Sequence, residues 1–460
     1  MTLLAIAWRN LLRNRRRSLA TLAAMVLGVT AILMFGGYRQ SIAYGLETAY
    51  VQRSGHLQIQ HRDYFTYGSG NPVAYGIADY EALARKVQQD PLAGPLVRVV
   101  TPVLQLTGIA ANFGRGVSRT AVVVGVETDG QNHMRAWNAH GTAAEVRALG
   151  LTGSAPDAVV LGAGLARTLQ LCGPLRVTGC IDTAPPVRSG DQAPDDISAL
   201  SAAEQGATAR RPTQIELLVA NPEGAPNVAS LQAIKAEEMG AKEIDDIFVS
   251  MHLAQAQRLL YGQAPARVTA LQVQLHRTED MALVQARLEA LLKEDPAGAS
   301  LAVLDFRTLN PSYGQINAMF GAVFAAVSVL VAVIVLFTVS NTMSMVVMER
   351  TTEIGTLRAI GQRRTGIKAM FLFEGALLGL VSAAIGLAVA LSLAWLINHS
   401  GLSWTPPGRI DAVRITVRLW GELRLLMTGA VGIALVAALS AWLPARRGAH
   451  MNVVDALRQV

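Results

Sequence analysis

Charge and cysteine are both scarce in this chain. Only 16% of its 460 residues are Asp, Glu, Lys or Arg, against about 25% in an average soluble domain. The low charge comes with 51% hydrophobic residues and a positive mean hydropathy. That balance excludes a disordered or collagen-like chain and argues against a purely soluble enzyme. Two cysteines, Cys172 and Cys180, are too few for a disulfide scaffold. They are read either as one disulfide in an oxidising compartment or as two partly buried thiols, because spacing alone does not set the Cα distance.

Chemical motifs are missing as well. The sequence contains no G-x-x-x-x-G-K-[ST], no H-E-x-x-H and no G-x-S-x-G, so neither a Walker-type nucleotide site nor a standard hydrolase centre is expected. His56 and His61 fall on opposite faces of a strand and read as surface or edge side chains, not as metal ligands. Asp245 and Asp246 read as a solvated turn, and Gly162-Ala163-Gly164 as the turn before a helix over Leu165–Leu171. No metal or cofactor is expected in this chain.

Four stretches are long and apolar enough to cross a bilayer, which needs about 20 such residues. They lie at 18–38, 318–348, 375–397 and 425–445. The first is longer than a signal-peptide core and ends without a small-x-small cleavage site, so it reads as a span. The five Arg of residues 1–17, the basic loop 349–374 and the tail 446–460 place both termini in the cytoplasm. The segment 398–424 then lies outside despite Arg409, Arg414, Arg418 and Arg424. The net charge of +7 therefore reads as topology and lipid contact, with no nucleic acid partner.

Between the first two spans lie about 279 residues, 39–317, enough for their own cores. The first span continues outward through Ile42, Leu46 and Ala49, and the 32 residues from Asn317 to Met348 would reach about 48 Å as a helix. Both are expected to extend as a paired stalk. Strands are expected at His56–His61, Val97–Leu106, Ala121–Val126, Val268–Leu275 (half-buried) and Leu301–Asp305. Helices are expected around Tyr80–Val87 and over Asp280–Lys293, the latter burying Leu283, Ala286, Leu288 and Leu291. The stretch 182–212 reads as a surface loop. The expected fold is a membrane protein: four transmembrane α-helices with a large α+β extracytoplasmic domain inserted between the first and second.

The cytoplasmic loop 349–374 opens with Glu349-Arg350-Thr351-Thr352-Glu353-Ile354-Gly355-Thr356-Leu357-Arg358-Ala359-Ile360-Gly361. Ile354, Leu357 and Ala359 or Ile360 can form one face of a short helix, with Arg350, Glu353 and Arg358 around it. This run resembles the E-R-x-x-E-I-G-x-L-R-A-I-G coupling motif of the FtsX-like permease family of ABC transporters, the class of the LolC/LolE lipoprotein-releasing and MacB-type membrane subunits. Further likenesses are Trp8–Leu11 with Arg13–Arg17, Phe373–Gly379, and Pro444–Arg447 followed by Asp455–Arg458. Ser54–Ile59 and Gly240–Met251 look like the lipoprotein-releasing branch.

The resemblance implies a non-catalytic subunit in the plasma (inner) membrane with a MacB-like domain in the periplasm. It implies a second permease chain, homo- or heterodimeric, and a cytoplasmic ATPase subunit that binds ATP-Mg and grips Arg350, Glu353, Ile354, Gly355, Leu357, Arg358 and Gly361. Glu374 is expected where its carboxylate can reach water or a cation. Gly375 and Gly379 are expected to let helices approach closely. Extraction of a lipoprotein or other amphiphile from the outer leaflet is the expected function, with Met25, Leu33, Val327 and Val331 among candidate contacts for acyl chains. Efflux of small amphiphiles or peptides and activation of an external hydrolase are the alternatives. A membrane-anchored enzyme is disfavoured.

Overall fold

The computed structural model describes residues 15–68, 71–142, 148–179, 212–221, 224–405 and 412–452. Trp8–Leu11, Arg13, Cys180, Arg409, Asp455–Arg458 and all but the last residue of the loop expected at 182–212 lie outside the described residues. The chain divides into one unit of residues 1–44, 314–404 and 414–460 and another of 45–313 with 405–413.

The first helix, α1 (Arg15–Ser54), runs well past its apolar stretch. After it come β1 (Leu57–His61), α2 (Tyr80–Gln88), β2 (Val97–Asn112), β3 (Val117–Val126), α3 (Thr128–Arg135), β4 (Ala158–Gly162) and α4 (Ala163–Thr168). Then follow β5 (Gln214–Ala220), β6 (Pro226–Glu237), α5 (Lys242–Asp245), β7 (Phe248–His252), α6 (Leu253–Tyr261), β8 (Ala270–Leu275), α7 (Met281–Lys293) and β9 (Leu301–Asp305). The strands join in the order β3-β7-β4-β6-β5-β2-β8-β1-β9, with β2 also paired to β3. The 16-residue β2 makes this possible. Its first half pairs with β8, its second half with β3, and Ile109–Ala111 with β5. Six strands therefore close a ring, and β8, β1 and β9 extend from its seam.

Two cores result. One gathers Leu104, Leu106, Val123, Leu161, Leu217 and Met251 from the ring with Leu259 of α6. The other packs Leu57, Ile59, Leu271 and Val273 against Val87 of α2, Leu288 of α7, and Trp137. Each fully buried aliphatic side chain stabilises the fold by about 1.5–3 kcal/mol. The α+β expectation holds, and two details change. β8 is buried on both faces, because Gln274 Nε2 donates to Val51 O and Met134 O and Gln272 Nε2 to Arg53 O. α7 turns Leu283 and Ala286 outward and buries Val284 in their place.

The remaining elements are α8 (Pro311–Glu349), α9 (Thr351–Ala359), α10 (Arg364–Ser400), the paired short strands β10 (Ser403–Trp404) and β11 (Val413–Arg414), and α11 (Leu423–Ala449). Among the described residues, α1, α8, α10 and α11 are the four helices long and apolar enough to cross a membrane. α10 begins well before the apolar stretch at 375, since helical hydrogen bonding does not require apolar side chains. α1 is the most enclosed, with Met25, Val29 and Leu33 buried against Val335 and Val339 of α8 and Leu378 of α10. Phe35 stacks on Phe324 at 6.1 Å, and the Thr21 and Thr342 hydroxyls lie 2.8 Å apart.

Candidate functional site

α9 is the compact element between the second and third spans. α8 stops at Glu349, Arg350 leaves the helical region, and α9 ends at Ala359, two residues before Gly361, whose φ of +96° only glycine adopts without strain. The apolar face of α9 is turned inward. Ile354 is buried among Val347, Ile367, Phe371, Ala445 and Ala449. Gly355 is buried too, and Leu357 is half-buried. The outward surface consists of Thr352, Glu353, Thr356, Ala359 and Ile360, the last 76% exposed.

The expected charges separate in the same way. Arg350 is buried and lies 3.6 Å from the carboxylate of Glu374 on α10. Glu374 thus meets a cation of its own chain and is closed to water, being 3% exposed. Arg358 Nη1 donates to Ala449 O at 2.9 Å, fastening α9 to the end of α11. Of the seven expected coupling residues, Glu353 and Gly361 lie on the exposed side, Arg350, Ile354 and Arg358 join this region to α10 and α11, Gly355 is buried and Leu357 half-buried. The Arg350–Glu374 pairing was not legible, because 24 positions separate the two and no local pattern links them.

Close helix packing begins just inside. A Cβ on Gly375 would meet Ala441 Cβ at 2.7 Å, and one on Gly379 would meet Ala434 Cα at 3.0 Å. Gly386 makes the same approach to Val29 of α1, and its carbonyl accepts from Thr30 Oγ1. α8 differs from the other spans. Only 11% of its most apolar stretch is buried within the chain, against 44% for α1. Leu330, Ile334 and Phe337 are exposed, and Val327 and Val331 are half-buried. Met25 and Leu33, expected among lipid-contacting positions, are instead interior.

Two readings in the external unit are corrected. Asp245 is fully buried. Its carboxylate accepts from the N–H groups of Ala163, Gly164 and Met239, satisfying the first turn of α4. Gly162 and Gly164 are needed there, since a Cβ would lie 2.2 Å from Asp245 O or 2.0 Å from Asp246 Oδ1. His56 is likewise buried, not a surface side chain. Cys172 is disulfide-bonded. Among the described residues no cluster of His, Cys, Asp or Glu could hold a metal ion.

Two family models match the chain: the FtsX-like permease C-terminal model over residues 323–453 and the MacB-like periplasmic core domain model over 18–229. An uncharacterized ABC transporter permease of Methanocaldococcus jannaschii is 26% identical over 46% of this chain and 51% of its own length. A macrolide export ATP-binding/permease protein MacB of Aeromonas hydrophila is 30% identical over 45% of this chain and 30% of its own. The chain thus spans about half or less of the curated relatives it matches. The crystal structure of the periplasmic region of MacB from Actinobacillus actinomycetemcomitans aligns with TM-score 0.30 and 11% identity, covering 57% of this chain and 94% of that one. The apolar helices, the inserted α+β unit and these two matches together identify the chain as a member of the FtsX-like permease family of ABC transporters, with a MacB-like domain between its first two spans.

Proposed function

We propose that this chain is the non-catalytic membrane subunit of a plasma (inner) membrane transporter, with its external unit in the periplasm. Its ATP-Mg is bound by separate cytoplasmic ATPase subunits that dock on α9. The observation carrying this reading is the construction of α9. Its inner side is bonded to α10 and α11 through Ile354, Arg350 and Arg358, while Glu353 and Ile360 face outward. A force applied to that outer surface passes to three spanning helices through packed side chains, not through a flexible linker. A second permease chain would cover part of the exposed side of α8, and the remainder would face the acyl chains of the substrate.

The substrate in this reading is a lipid-anchored protein or other amphiphile drawn from the outer leaflet. The apolar exposed surface of α8 supports it, and α8 carries no charge between Pro311 and Met348 that would oppose an acyl chain. A second reading is export of a small amphiphile, favoured by the macrolide-export name of one relative. Co-purification of the ATPase and substrate-stimulated ATP turnover test the docking step. Glu353→Lys and Ile360→Asp should each weaken ATPase binding by about tenfold or more, and both should leave membrane insertion intact because the side chains are exposed. Unchanged binding and turnover in both variants would reduce α9 to an interfacial linker. Mass spectrometry of molecules held by the intact complex separates the two substrate readings.

A further inference from the structure

The segment after α10 carries arginines on the side of the membrane where basic residues are disfavoured, and the structure shows how it is held. Asn398 clasps Val417 from both sides: Nδ2 donates to Val417 O at 3.0 Å, and Oδ1 accepts from Val417 N at 2.8 Å. Arg418 N donates to Gly37 O of α1 at 3.1 Å. Val417 and Leu419 are buried in the core of the membrane helices, so the intervening and flanking side chains point away from it. A Cβ on Gly37 would lie 2.8 Å from both Val417 and Leu419 side chains, which shows how tightly the segment presses on α1. The segment is therefore pinned where α1 and α10 leave the apolar layer.

What this clamp displays is consistent in character. Trp395 and Trp404 on one arm and Trp420 on the other are exposed, as are Leu402 and Leu423. Arg414 and Arg424 are exposed as well. Arg418 is engaged internally, with its guanidinium 4.9 Å from the Tyr44 ring centroid and 3.6 Å from Glu422. Glu422, the one acidic residue described in this segment, is thus committed to Arg418. Indoles at the end of a span occupy the headgroup layer, where one edge is apolar and the other is wet. Cations beside them meet lipid phosphates, and a soluble anion would have no use for the three indoles.

We propose that the described residues between the end of α10 and the start of α11, 395–404 and 413–424, form a docking surface for anionic phospholipid headgroups of the outer leaflet, with Trp395, Trp404 and Trp420 seated in the headgroup layer and Arg414 and Arg424 on the phosphates. The surface belongs to the protein's bilayer setting and does not depend on what the ATPase or substrate is. The test is native mass spectrometry of the full chain in neutral detergent, offered phosphatidylglycerol and phosphatidylcholine of equal acyl length. Arg414→Gln/Arg424→Gln should lower the ratio of retained phosphatidylglycerol to phosphatidylcholine by on the order of fivefold per arginine. Arg414→Lys/Arg424→Lys should keep most of it, since the contact is one of charge. An unchanged ratio in the glutamine pair overturns the proposal, and so does an equal loss of both lipids. Retention of inorganic phosphate in place of lipid also overturns it, by assigning the arginines to a soluble anion. The single Arg414→Gln and Arg424→Gln variants carry the same test if the pair expresses poorly.

Discussion

Leu275 offers its backbone N–H to Nδ1 of His56 at 3.0 Å, and an amide can only donate. Nδ1 must therefore keep its lone pair, which places the proton of the neutral ring on Nε2, 3.1 Å from Thr278 Oγ1. Thr278 in turn donates to Glu47 Oε1 at 2.6 Å, and His140 Nε2 lies 2.9 Å from the same oxygen. Burial pushes the His56 pKa down to about 4. The native ring thus resists protonation that the unfolded ring accepts from about pH 6.5 downward. The resulting stability is fully present above that pH and is lost as pH falls toward about 4, by at most roughly 3 kcal/mol. Hydrogen-exchange protection of the Leu275 amide, corrected for intrinsic rate, should fall between about pH 7 and about pH 4.5. Protection that stays constant over that interval contradicts the neutral-ring account. Nothing local in the sequence marks His56 for this role, because its partners come from β8 and the turn after it.

Helices and strands were the most legible scale. The 3.6-residue pattern located α2 and α7, and alternation located β1 and β8. Pattern alone did not decide which side of an element would be covered. β8 alternates apolar and Gln residues like a half-exposed strand, yet its Gln face is covered and its amides bond to backbone carbonyls. α9 has an apolar face that could equally serve a partner, and its own chain occupies it. The paired glycines of α10 were readable as a packing face, but their partner on α11 was not. Gly379→Leu would force the side chain into the backbone at Ala434, and should destabilise the membrane helices by about 1–3 kcal/mol. Gly432→Leu on α11 meets nothing within 4 Å and should be near neutral. Thermal unfolding of the two variants in the same detergent compares them, and equal losses would show that the α10–α11 contact is not tight.

At the scale of the molecule, four apolar helices among the described residues belong to one unit, and residues 45–313 with 405–413 make up a second. Arginine placement predicts an orientation, in which four spans would put 39–317 and 398–424 on one side of the bilayer. Cysteine substitutions at exposed positions check it. Arg115→Cys, at the tip of the β2–β3 hairpin, should react with a membrane-impermeant thiol reagent added outside whole spheroplasts. Gln362→Cys, just after α9, should react only once the membrane is opened. The reverse pattern would invert the topology and remove α9 from the reach of a cytoplasmic ATPase.

The apolar spans, the place of the inserted unit and the short helix after the second span were determined by the sequence, because each depends on runs or spacings of neighbouring residues. A bilayer selects about 20 apolar residues in a row, and a short helix needs only its own turn pattern. The tertiary structure decided everything that required two distant segments to meet. It closed six strands into a ring through the length of β2, buried Asp245 beneath the first turn of α4, and paired Arg350 with Glu374. It also divided the run 350–361 into an inner side held by the chain and an exposed outer side. These outcomes rest on close approach and on desolvation of charged or polar groups, whose free energy depends on what lies across the contact and not on what precedes it along the chain.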